Sequence, residues 1–381
     1  MNMNQKKTAY IISLKFAPGL KKEFLILGEN IKSKGINIKY IISEKYSELE
    51  RSCDDTEYIS TRDDIKGILK DTLNFINGKR FMRIFFTLLP PDFVCFYNPH
   101  PLNPFVARLI KNSFPKAITV VYLHDPYKPD KSLYGVKKAT YIKLVELVQR
   151  LTVKYMDYVI SPSEYSSYLF RKYYPKFKGK NYIAPLLVPD TRSAINSERR
   201  FFSIVGTAHL ATGHDTFIEL VNYVAKKKLD YKFALISSSN ISLFLKKLTD
   251  EAKKIIKVIN KSLITDSEID VVIRQSYAVF RLDREVTQSG VIPVAYMNET
   301  PVIVRDIAGL KQHVKHKENG YLVPFNSTPE VLIQAMDFVK KNFDELSRNA
   351  RRSYEETWAE WNFDKYYEWL INLLKTDKSI L

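Results

Sequence analysis

The sequence of 381 residues has few of the features that mark secreted, metal-binding or membrane-spanning proteins. Its two cysteines, Cys53 and Cys95, match no metal or redox spacing. No run of about 18 uncharged apolar residues occurs, so no membrane span is expected. The opening MNMNQKKTAYIISLKF lacks an apolar stretch followed by a small-residue cleavage site, which favours a first strand over a signal peptide. We therefore predict a cytoplasmic protein with reduced cysteines.

Motifs that bind nucleotides through a fixed loop, or metals through a fixed spacing, are also missing. The sequence has no Walker loop, no GxGxxG and no zinc-ligand spacing. We assign His313 and His316 to a short helix, and no third ligand lies near them in sequence. His209 and His214 are interpreted as surface histidines; when protonated, either would offer a positive charge to a ligand. We therefore expect neither a metal nor a separate cofactor.

What the chain does contain is apolar surface and unevenly placed positive charge. Apolar residues make up 45% and aromatic residues 13% of the chain, which is ample for the cores of two domains. Residues 1–200 hold 34 basic against 19 acidic residues, whereas residues 201–381 hold 25 against 23. Two interpretations fit: attraction of an anionic membrane surface, or charge that keeps the protein soluble. Nucleic acid is not expected as a partner, because no interleaved basic and aromatic motif occurs.

Short apolar runs alternate with amphipathic stretches along the chain, a pattern typical of α/β proteins with doubly wound parallel sheets. In the first half, we predict strands at 10–14, 36–42, 92–98, 117–125 and 157–163, and helices at 20–35, 104–114 and 135–156. In the second half, we predict strands at 201–208, 231–239, 252–260, 277–282, 301–306 and 320–324, and helices at 215–228, 328–341, 343–359 and 361–376. Two Rossmann-like domains are therefore expected.

The boundary between these domains is predicted from a loss of periodicity. The segment PLLVPDTRSAINSERR, residues 185–200, is rich in proline, serine and charge. The predicted parts are a first domain at 1–188, a linker at 189–200, a second domain at 201–355 and a C-terminal helix at 356–381 that returns toward the first domain. Ligands of such sheets bind beyond the carboxyl ends of the strands. The loops of interest are therefore 15–19, 98–103, 124–134, 206–214, 236–241, 281–289 and 306–310.

Two stretches of the second half carry recognisable motifs, IVGTAHLATGHDTFIEL and QSGVIPVAYMNETPVIVRDIAGLKQHVKHKENGYLVPF. With these and three stretches of the first half, the chain resembles the retaining GT-B glycosyltransferases of family 4 over nearly its whole length. The two stretches of the second half are similar to the family's glycine-ended strand, its EAMAxGxPVI helix and strand, and its GGLxEVVxxGxNGYLV segment. In the first half, SLKFAPG, VVYLHDP and DYVISPSE are similar to the first glycine loop, the strand that ends in a cleft histidine, and the last strand. The resemblance implies the GT-B fold, in which two Rossmann-like domains face a cleft.

The resemblance also implies an activity. Members of the family move a sugar from a nucleotide-sugar donor to a glycan, polysaccharide or lipid-linked acceptor with retention of configuration. Relatives of this kind hold the donor diphosphate without a metal, through loop amides, helix starts and usually one Arg and one Lys. The alternative interpretation is a catalytically degenerate GT-B protein that acts as a binding or partner subunit.

The positions that match the family's motifs suggest a role for each candidate residue. His124 and Asp125 are the catalytic candidates; the simpler alternatives are a strand-end histidine and a turn-capping aspartate. Pro18 and Gly19 form either a loop near the sugar or an ordinary tight turn. The donor-binding candidates are Gly206, Thr207, Thr212, Arg281, Arg284, Ser289, Gly290, Val294 and Asn298. The acceptor-side candidates are His100, whose alternative role is in a turn, Lys131 and Lys137.

Several positions depart from the family's pattern, and the losses fall on donor-binding side chains. Thr207 and Thr212 stand where relatives carry Arg and Lys, and Val294 stands where they carry the glutamate that holds the ribose. Glu299 and Ala308 replace two glycines. The combined loss of two cations and one carboxylate is the reason for the alternative interpretation.

Neighbouring residues offer replacements for the lost groups. Asn298 lies one helical turn after Val294 and would form a weaker hydrogen bond than a carboxylate. Arg281 and Arg284 would supply charge for the phosphates. The free N–H groups of the helix that opens at Ser289–Gly290 would still bind phosphate.

The basic and apolar segment 66–89 would bring the first domain to an anionic membrane surface. It contains Lys66, Lys70, Lys79, Arg80 and Arg83 among Leu, Ile, Phe and Met residues. An ordinary helix that covers the sheet explains the same pattern equally well. A peripheral position on the inner face of the membrane is therefore the alternative to a purely cytoplasmic location.

Overall fold

A computed structural model describes residues 6–48, 56–59, 70, 89–192 and 198–375. The chain forms two compact units, each with its own sheet. The first unit consists of Met1–Tyr127, Lys137–Leu187 and Trp361–Leu381, and the second of Lys128–Val136 and Val188–Glu360.

The first unit contains a seven-stranded sheet in which all neighbouring strands are parallel. Its strands are β1 (Thr8–Ser13), β2 (Asn37–Ser43), β3 (Thr56–Ile59), β4 (Phe93–Tyr97), β5 (Ile118–Tyr122), β6 (Tyr158–Ser161) and β7 (Lys180–Ile183). The order across the sheet is β3-β2-β1-β4-β5-β6-β7, so the direction of chain progression switches between β1 and β4. Every residue of β1, β4 and β5 is buried, as expected for strands covered on both faces.

The second unit repeats this arrangement with six strands. They are β8 (Phe201–Val205), β9 (Phe233–Ser237), β10 (Ile256–Asn260), β11 (Ser276–Arg281), β12 (Val302–Arg305) and β13 (Gly320–Val323). The order is β10-β9-β8-β11-β12-β13, with the switch between β8 and β11. Ligands of doubly wound sheets bind at such switch points. The predicted pair of Rossmann-like parallel sheets is confirmed.

Helices connect the strands of both units. In chain order they are α1 (Lys21–Ser33), α2 (Asn103–Ser113), α3 (Gly135–Val153), α4 (Glu164–Tyr173), α5 (His214–Lys226), α6 (Ser242–Leu245), α7 (Asp250–Ile255), α8 (Asp266–Arg274), α9 (Val291–Met297), α10 (Ala308–Lys311), α11 (Pro329–Lys341), α12 (Phe343–Thr357) and α13 (Phe363–Lys375). Local sequence explains several starts. The Ser163 hydroxyl accepts a hydrogen bond from the Ser166 amide at the start of α4, and Thr265 forms a capping box with Glu268 at the start of α8.

The last helix, α13, belongs to the first unit, as the sequence predicts. Its residues Tyr367, Leu370 and Leu374 are at most 2% exposed and lie in the same apolar cluster as Phe24 and Tyr97. The segment Lys128–Val136 behaves in the opposite way. It follows strand β5 of the first unit, and we place it in the first domain from sequence, yet it lies in the second unit.

Two details of the sequence-based prediction are wrong. The stretch 252–260 is predicted as one strand, but helix α7 occupies its first residues because the Thr249 hydroxyl accepts a hydrogen bond from the Ala252 amide and starts a helix. His313 and His316 are not on a helix, because α10 ends at Lys311.

The predicted membrane-surface segment 66–89 lies outside the described residues, except for Lys70 and Leu89. Within the part of the chain that the structure describes, no helix combines the length and the apolar character needed to cross a membrane.

Candidate functional site

The carboxyl edge of the first sheet brings a buried acid next to a histidine. His124 lies two residues beyond β5, and its Nε2 atom is 3.7 Å from Oε2 of Glu23. Glu23 lies in the first turn of α1 and is only 5% exposed. Because α1 follows β1, and β1 and β5 are separated by one strand, the sheet order places both residues at the same edge.

Stacked aromatic rings hold the imidazole of His124. The ring centroids of Tyr122 and His124 are 4.7 Å apart, and those of Tyr97 and Tyr122 are 5.4 Å apart. The Tyr122 hydroxyl donates a hydrogen bond of 2.6 Å to the carbonyl of Ala184. The imidazole therefore packs on a ring whose own position is fixed, while 15% of the His124 side chain still reaches solvent.

Burial favours the neutral forms of both groups. It raises the pKa of the Glu23 carboxyl well above its usual value, and hydrogen bonding with Tyr122 opposes this only in part. Burial also lowers the pKa of His124 to about 4, although the neighbouring Asp125 carboxylate acts in the raising direction. A neutral imidazole can both donate and accept hydrogen bonds without carrying charge.

Sequence reasoning missed Glu23, although a signal for it exists. Glu23 lies four and eight residues before Leu27 and Ile31, so it shares the apolar face of α1. An acidic side chain on the buried face of an amphipathic helix needs a polar neighbour in the fold, because burying it alone is costly.

The loop that contains Pro18 and Gly19 is held from one side. The Tyr46 hydroxyl accepts a hydrogen bond of 2.9 Å from the Ala17 amide and donates one of 3.1 Å to the Lys15 carbonyl. Gly19 is exposed, and a Cβ atom there would meet nothing within 4 Å. Space alone therefore does not require glycine at this position.

Two other candidates of the first unit differ in burial. His100 is 2% exposed, and its Nδ1 atom accepts a hydrogen bond of 3.2 Å from the Leu102 amide, which is the geometry of a turn. Asp125 is exposed, and its backbone carbonyl accepts a hydrogen bond of 3.1 Å from Gln149. Asp125, the residue after His124, therefore lies at the surface, whereas the buried His100 side chain accepts a hydrogen bond from the backbone of its own turn.

In the second unit, the loop after β8 begins with an unusual glycine. Gly206 has a φ of +111°, a conformation that other residues rarely adopt. A Cβ atom at Gly206 would lie 3.5 Å from Nη1 of Arg281, and Thr207 beyond it is exposed. The first turn of this loop therefore presents bare backbone to a ligand.

Thr212, which stands at the lysine position of the family's pattern, is engaged within its own loop. Its hydroxyl donates to the His209 carbonyl at 2.8 Å, accepts from the His209 amide at 3.0 Å, and lies 2.9 Å from Nδ1 of His214. A hydroxyl has one donor and two acceptor sites, so these three contacts use all of them when Nδ1 of His214 carries a proton. Thr212 closes the loop and is not directed at a phosphate.

His214 is a buried residue, so its assignment to the surface is wrong. It is fully buried at the first position of α5. Burial lowers its pKa to about 3, and the positive charge of Arg281 acts in the same direction. His214 is therefore neutral at pH 7 and supplies no cation to a donor phosphate.

The two arginines proposed as replacement cations are both paired with carboxylates. Nη2 of Arg281 lies 2.8 Å from Oδ1 of Asp283, and Nη1 donates to the Val205 carbonyl at 3.1 Å. The Arg284 guanidinium makes a two-pronged contact with Asp215, at 2.8 and 2.7 Å. Arg281 lies under the Gly206 loop, whereas Arg284 ties the loop after β11 to the start of α5.

The helix α9 exposes its start and buries its end. Gly290 is exposed, and a Cβ atom there would meet nothing within 4 Å, whereas Ser289 is 5% exposed. Val294 packs against the apolar cluster of the second unit. Asn298 is 2% exposed, and its Nδ2 atom donates to Asp270 at 3.0 Å. The structure therefore places Asn298 in the interior, away from the exposed loops, with its amide engaged.

The lysines predicted on the acceptor side are separated by the fold. Lys131 lies in the second unit, where its ammonium group donates to the Lys128 carbonyl at 2.7 Å. In the same segment, the amide of Asp130 donates to Glu285 at 3.2 Å, and the Tyr134 ring centroid lies 5.7 Å from that of His209. Lys137 lies in the first unit and is exposed on α3.

The second unit matches a known protein family. Residues 190–356 match the family model described as glycosyl transferases group 1. The resemblance to the group 1 glycosyltransferases is confirmed. No curated protein sequence is similar enough to count as a relative of this glycosyltransferase-like chain.

Solved glycosyltransferase structures share the fold of the whole chain. Sucrose-phosphate synthase from Thermosynechococcus elongatus is 14% identical with a TM-score of 0.75, covering 96% of this chain and 100% of the other. A glycosyltransferase from Rickettsia africae is 14% identical with a TM-score of 0.68, covering 98% and 100%. The pneumococcal O-GlcNAc transferase, solved with UDP and GlcNAc, is 12% identical with a TM-score of 0.68, covering 98% and 100%. At these identities, the similarity establishes the GT-B fold.

Proposed function

We propose that this protein is a glycosyltransferase that moves a sugar from a nucleotide-sugar to a glycan, polysaccharide or lipid-linked acceptor, with retention of configuration. The second unit would hold the nucleotide-sugar, and the first unit would hold the acceptor. The observation that carries the proposal is the Gly206 loop, which presents bare backbone at the switch point of a sheet whose residues match a glycosyltransferase model.

The donor diphosphate would be held mainly by backbone. The Thr207 amide and amides of the Ser289–Gly290 loop are the donors on offer, because the amides of Gly206, Ala208 and His209 already donate within the unit. Thr212 and Arg284 are likewise engaged in contacts within the unit. Arg281 would add its positive field from beneath Gly206, reduced by its pairing with Asp283. UDP is the first nucleotide to test, since similar pneumococcal and Anabaena structures contain it.

His124 would orient the transferred sugar as a neutral imidazole. Glu23 and Tyr122 would keep that ring in place, which makes Glu23 a positioning residue. No general base is required if the acceptor attacks on the face of the leaving group and passes its proton to the departing phosphate. In that case the chain's task is orientation and stabilisation of developing charge.

A second candidate function follows from the ion pairs that Arg281 and Arg284 each form with an aspartate. The carboxylates of Asp283 and Asp215 neutralise both guanidinium groups. The positions at which the resemblance implies cations carry Thr207 and Thr212 instead. This observation favours a degenerate glycosyltransferase that serves as a binding or partner subunit.

Titration calorimetry with UDP, GDP, ADP and their sugars distinguishes the two functions. The enzyme proposal predicts binding of one nucleotide family. Gly290 allows a matched pair of variants, because it has ordinary φ and open space around it. Gly290→Asp is expected to weaken binding at least tenfold by repelling the diphosphate, whereas the isosteric Gly290→Asn should change it less than threefold. A folded protein that binds none of the nucleotides would favour the partner-subunit function.

A further inference from the structure

The outer face of α3 carries three leucines in a row that face water. Leu144, Leu147 and Leu151 are 50%, 52% and 37% exposed. Their spacing of three and four residues places them in one column along the helix. Single exposed leucines are ordinary, but a column of three forms a contiguous apolar strip that is normally covered by something.

A column of basic side chains runs beside these leucines. Lys143 and Arg150 are exposed and seven residues apart, so they lie along the same side of the helix, and exposed Lys154 directly follows its last residue. Lys137 and Lys138 are exposed in its first turn. The outer face of α3 is thus half apolar and half cationic.

No acidic side chain interrupts this face. Between residues 135 and 154, the sequence contains one acidic residue, Glu146. Glu146 is 8% exposed and lies on the inward side of the helix together with Gln149 and Thr152. A water-exposed helix usually mixes both charge signs, so the exclusion of acid from the outer face points to an anionic partner.

The basic column leads into a cavity at the C-terminal end of α3. The cavity has a volume of about 580 Å³ and is lined by basic and aromatic side chains, among them Arg150, Lys154, Tyr173, Tyr174, Lys176 and Lys178. The Arg150 guanidinium lies 6.0 Å from the centre of the Tyr174 ring, which holds it at the rim. A cavity of this size and charge fits a phosphate-bearing headgroup.

We propose that the outer face of α3 docks on a membrane surface of anionic phospholipid. Leu144, Leu147 and Leu151 enter the boundary between headgroups and acyl chains, and the basic column contacts lipid phosphates. One headgroup occupies the cavity beside Arg150. A lipid surface explains the leucines, whereas a nucleic acid would call for stacking aromatic side chains on the exposed face. The docking needs no nucleotide-sugar, so it stands independently of the proposed transfer reaction.

Vesicle co-sedimentation tests the proposal with the full-length protein. Binding is expected with vesicles of phosphatidylcholine and phosphatidylglycerol, and at least tenfold weaker binding with phosphatidylcholine alone. Raising the salt from 50 to 500 mM should release most of the protein, because the charge contribution is screened. Equal binding to both vesicle types, or none to the anionic vesicles, would overturn the proposal.

Two pairs of variants assign the binding to this face. Replacing Leu144, Leu147 and Leu151 together by serine is expected to lower anionic vesicle binding at least tenfold. The control replaces Leu243 and Leu263 by serine, which are 73% and 56% exposed in the second unit. Equal losses in the two leucine variants would reject α3 as the docking face.

The charge variants follow the same design. Lys143→Glu with Lys154→Glu should lower binding more than tenfold, because each basic residue near an anionic surface contributes about fivefold. The control, Lys246→Glu with Lys247→Glu, makes the same charge change at exposed residues of the second unit. If the control loses as much binding, net charge and not α3 is responsible.

A third measurement reports insertion directly and separates lipid from nucleic acid. Leu147→Trp should give an added fluorescence that shifts to the blue on anionic vesicles and is quenched by brominated acyl chains. No shift and no quenching would contradict insertion. Binding of duplex or single-stranded nucleic acid as tight as that of anionic vesicles, unaffected by the leucine variant, would assign the face to a nucleic acid and overturn the proposal.

Discussion

The carboxyl edges of the two sheets carry opposite kinds of polar chemistry. In the first unit, Glu23 and His124 are buried together and favour their neutral forms. In the second unit, the guanidinium groups of Arg281 and Arg284 are paired with the carboxylates of Asp283 and Asp215. Two sheets of similar topology therefore offer different groups to a ligand at their carboxyl edges. The first edge offers hydrogen bonds from side chains, and the second offers chiefly backbone amides held in place by ion pairs.

The largest expected effect on stability comes from comparing a glycine in the second unit that has no room for a side chain with a glycine in the first unit that has ample room. At Gly213, φ is +71° and a Cβ atom would lie 2.1 Å from the Leu282 carbonyl oxygen, so Gly213→Ala should destabilise its unit by about 4 kcal/mol. Gly19→Ala has open space and should change stability by less than about 0.5 kcal/mol. Urea unfolding of both variants makes the comparison; similar losses would show that the two loops are equally constrained.

The next effect concerns the ion pair between Arg284 and Asp215, whose side chains are 24% and 15% exposed. Burial acts to raise the pKa of Asp215, but the hydrogen bond from Arg284 outweighs it and lowers the pKa below its usual value. We expect Arg284→Met to cost about 2 kcal/mol at pH 7. A carboxyl with a lowered pKa stabilises the fold above its unfolded pKa, so the cost should shrink as pH falls through that region.

The control for this ion pair is Lys253→Met, which removes an exposed partner of Asp250. It should leave the free energy of unfolding unchanged within error, because exposed pairs contribute little. If Arg284→Met unfolds like this control but loses nucleotide affinity, Arg284 contacts the donor directly and the second edge is more like that of its relatives than the contacts indicate.

The smallest effect concerns the buried acid of the first unit. Because burial raises the pKa of Glu23, its contribution to stability is present below the unfolded pKa and is lost as pH rises toward the folded value. Glu23→Gln should therefore raise the free energy of unfolding at pH 8 by about 1 kcal/mol and change it less at pH 5. Urea unfolding at both pH values, with exposed Glu29→Gln on the same helix as control, measures the difference. A Glu23→Gln variant that is less stable at pH 8 would mean that the carboxylate is ionised and paired.

The free energy of unfolding at acidic pH should depend on one histidine in each unit, the largely buried His124 and the fully buried His214. Burial lowers the pKa of His124 to about 4 and that of His214 to about 3, so each group resists protonation in the folded state. The unfolded chain binds those protons first, and stability is therefore expected to fall as pH drops from about 6.5 toward 4. His124→Asn and His214→Asn should each flatten this limb in thermal unfolding scans between pH 7 and 5. An unchanged slope in both variants would place the acid sensitivity elsewhere.

Most of the fold follows from the alternation of apolar runs and amphipathic stretches, because parallel strands covered on both faces must be continuously apolar. The error at 252–260 has a local cause: AKKIIKVIN has an apolar pattern that suits a strand, but the preceding Thr249 starts a helix that uses its first residues. The unit to which Lys128–Val136 belongs is a tertiary property that no local pattern encodes.

The candidate site could be predicted only in part. The resemblance suggests His124 and the Gly206 loop as candidates, because both follow predicted strands within stretches that match the family's motifs. The helical pattern places Glu23 on the apolar face of α1, but its contact with His124 exists only in the folded sheet. The pairing of Arg284 with Asp215 joins residues 69 positions apart. Whether a polar side chain is available or already engaged depends on such long-range contacts, which one sequence does not specify.

Donor turnover tests the proposed activity most directly. Proton and phosphorus NMR of the protein with the nucleotide-sugar that binds best, with and without candidate acceptors, follows both nucleotide release and the anomeric configuration of the product. We predict release of the nucleotide diphosphate with retained configuration, and a rate at least about a hundredfold lower in His124→Ala. No turnover of any bound donor, or equal rates in the parent and His124→Ala, would contradict the account.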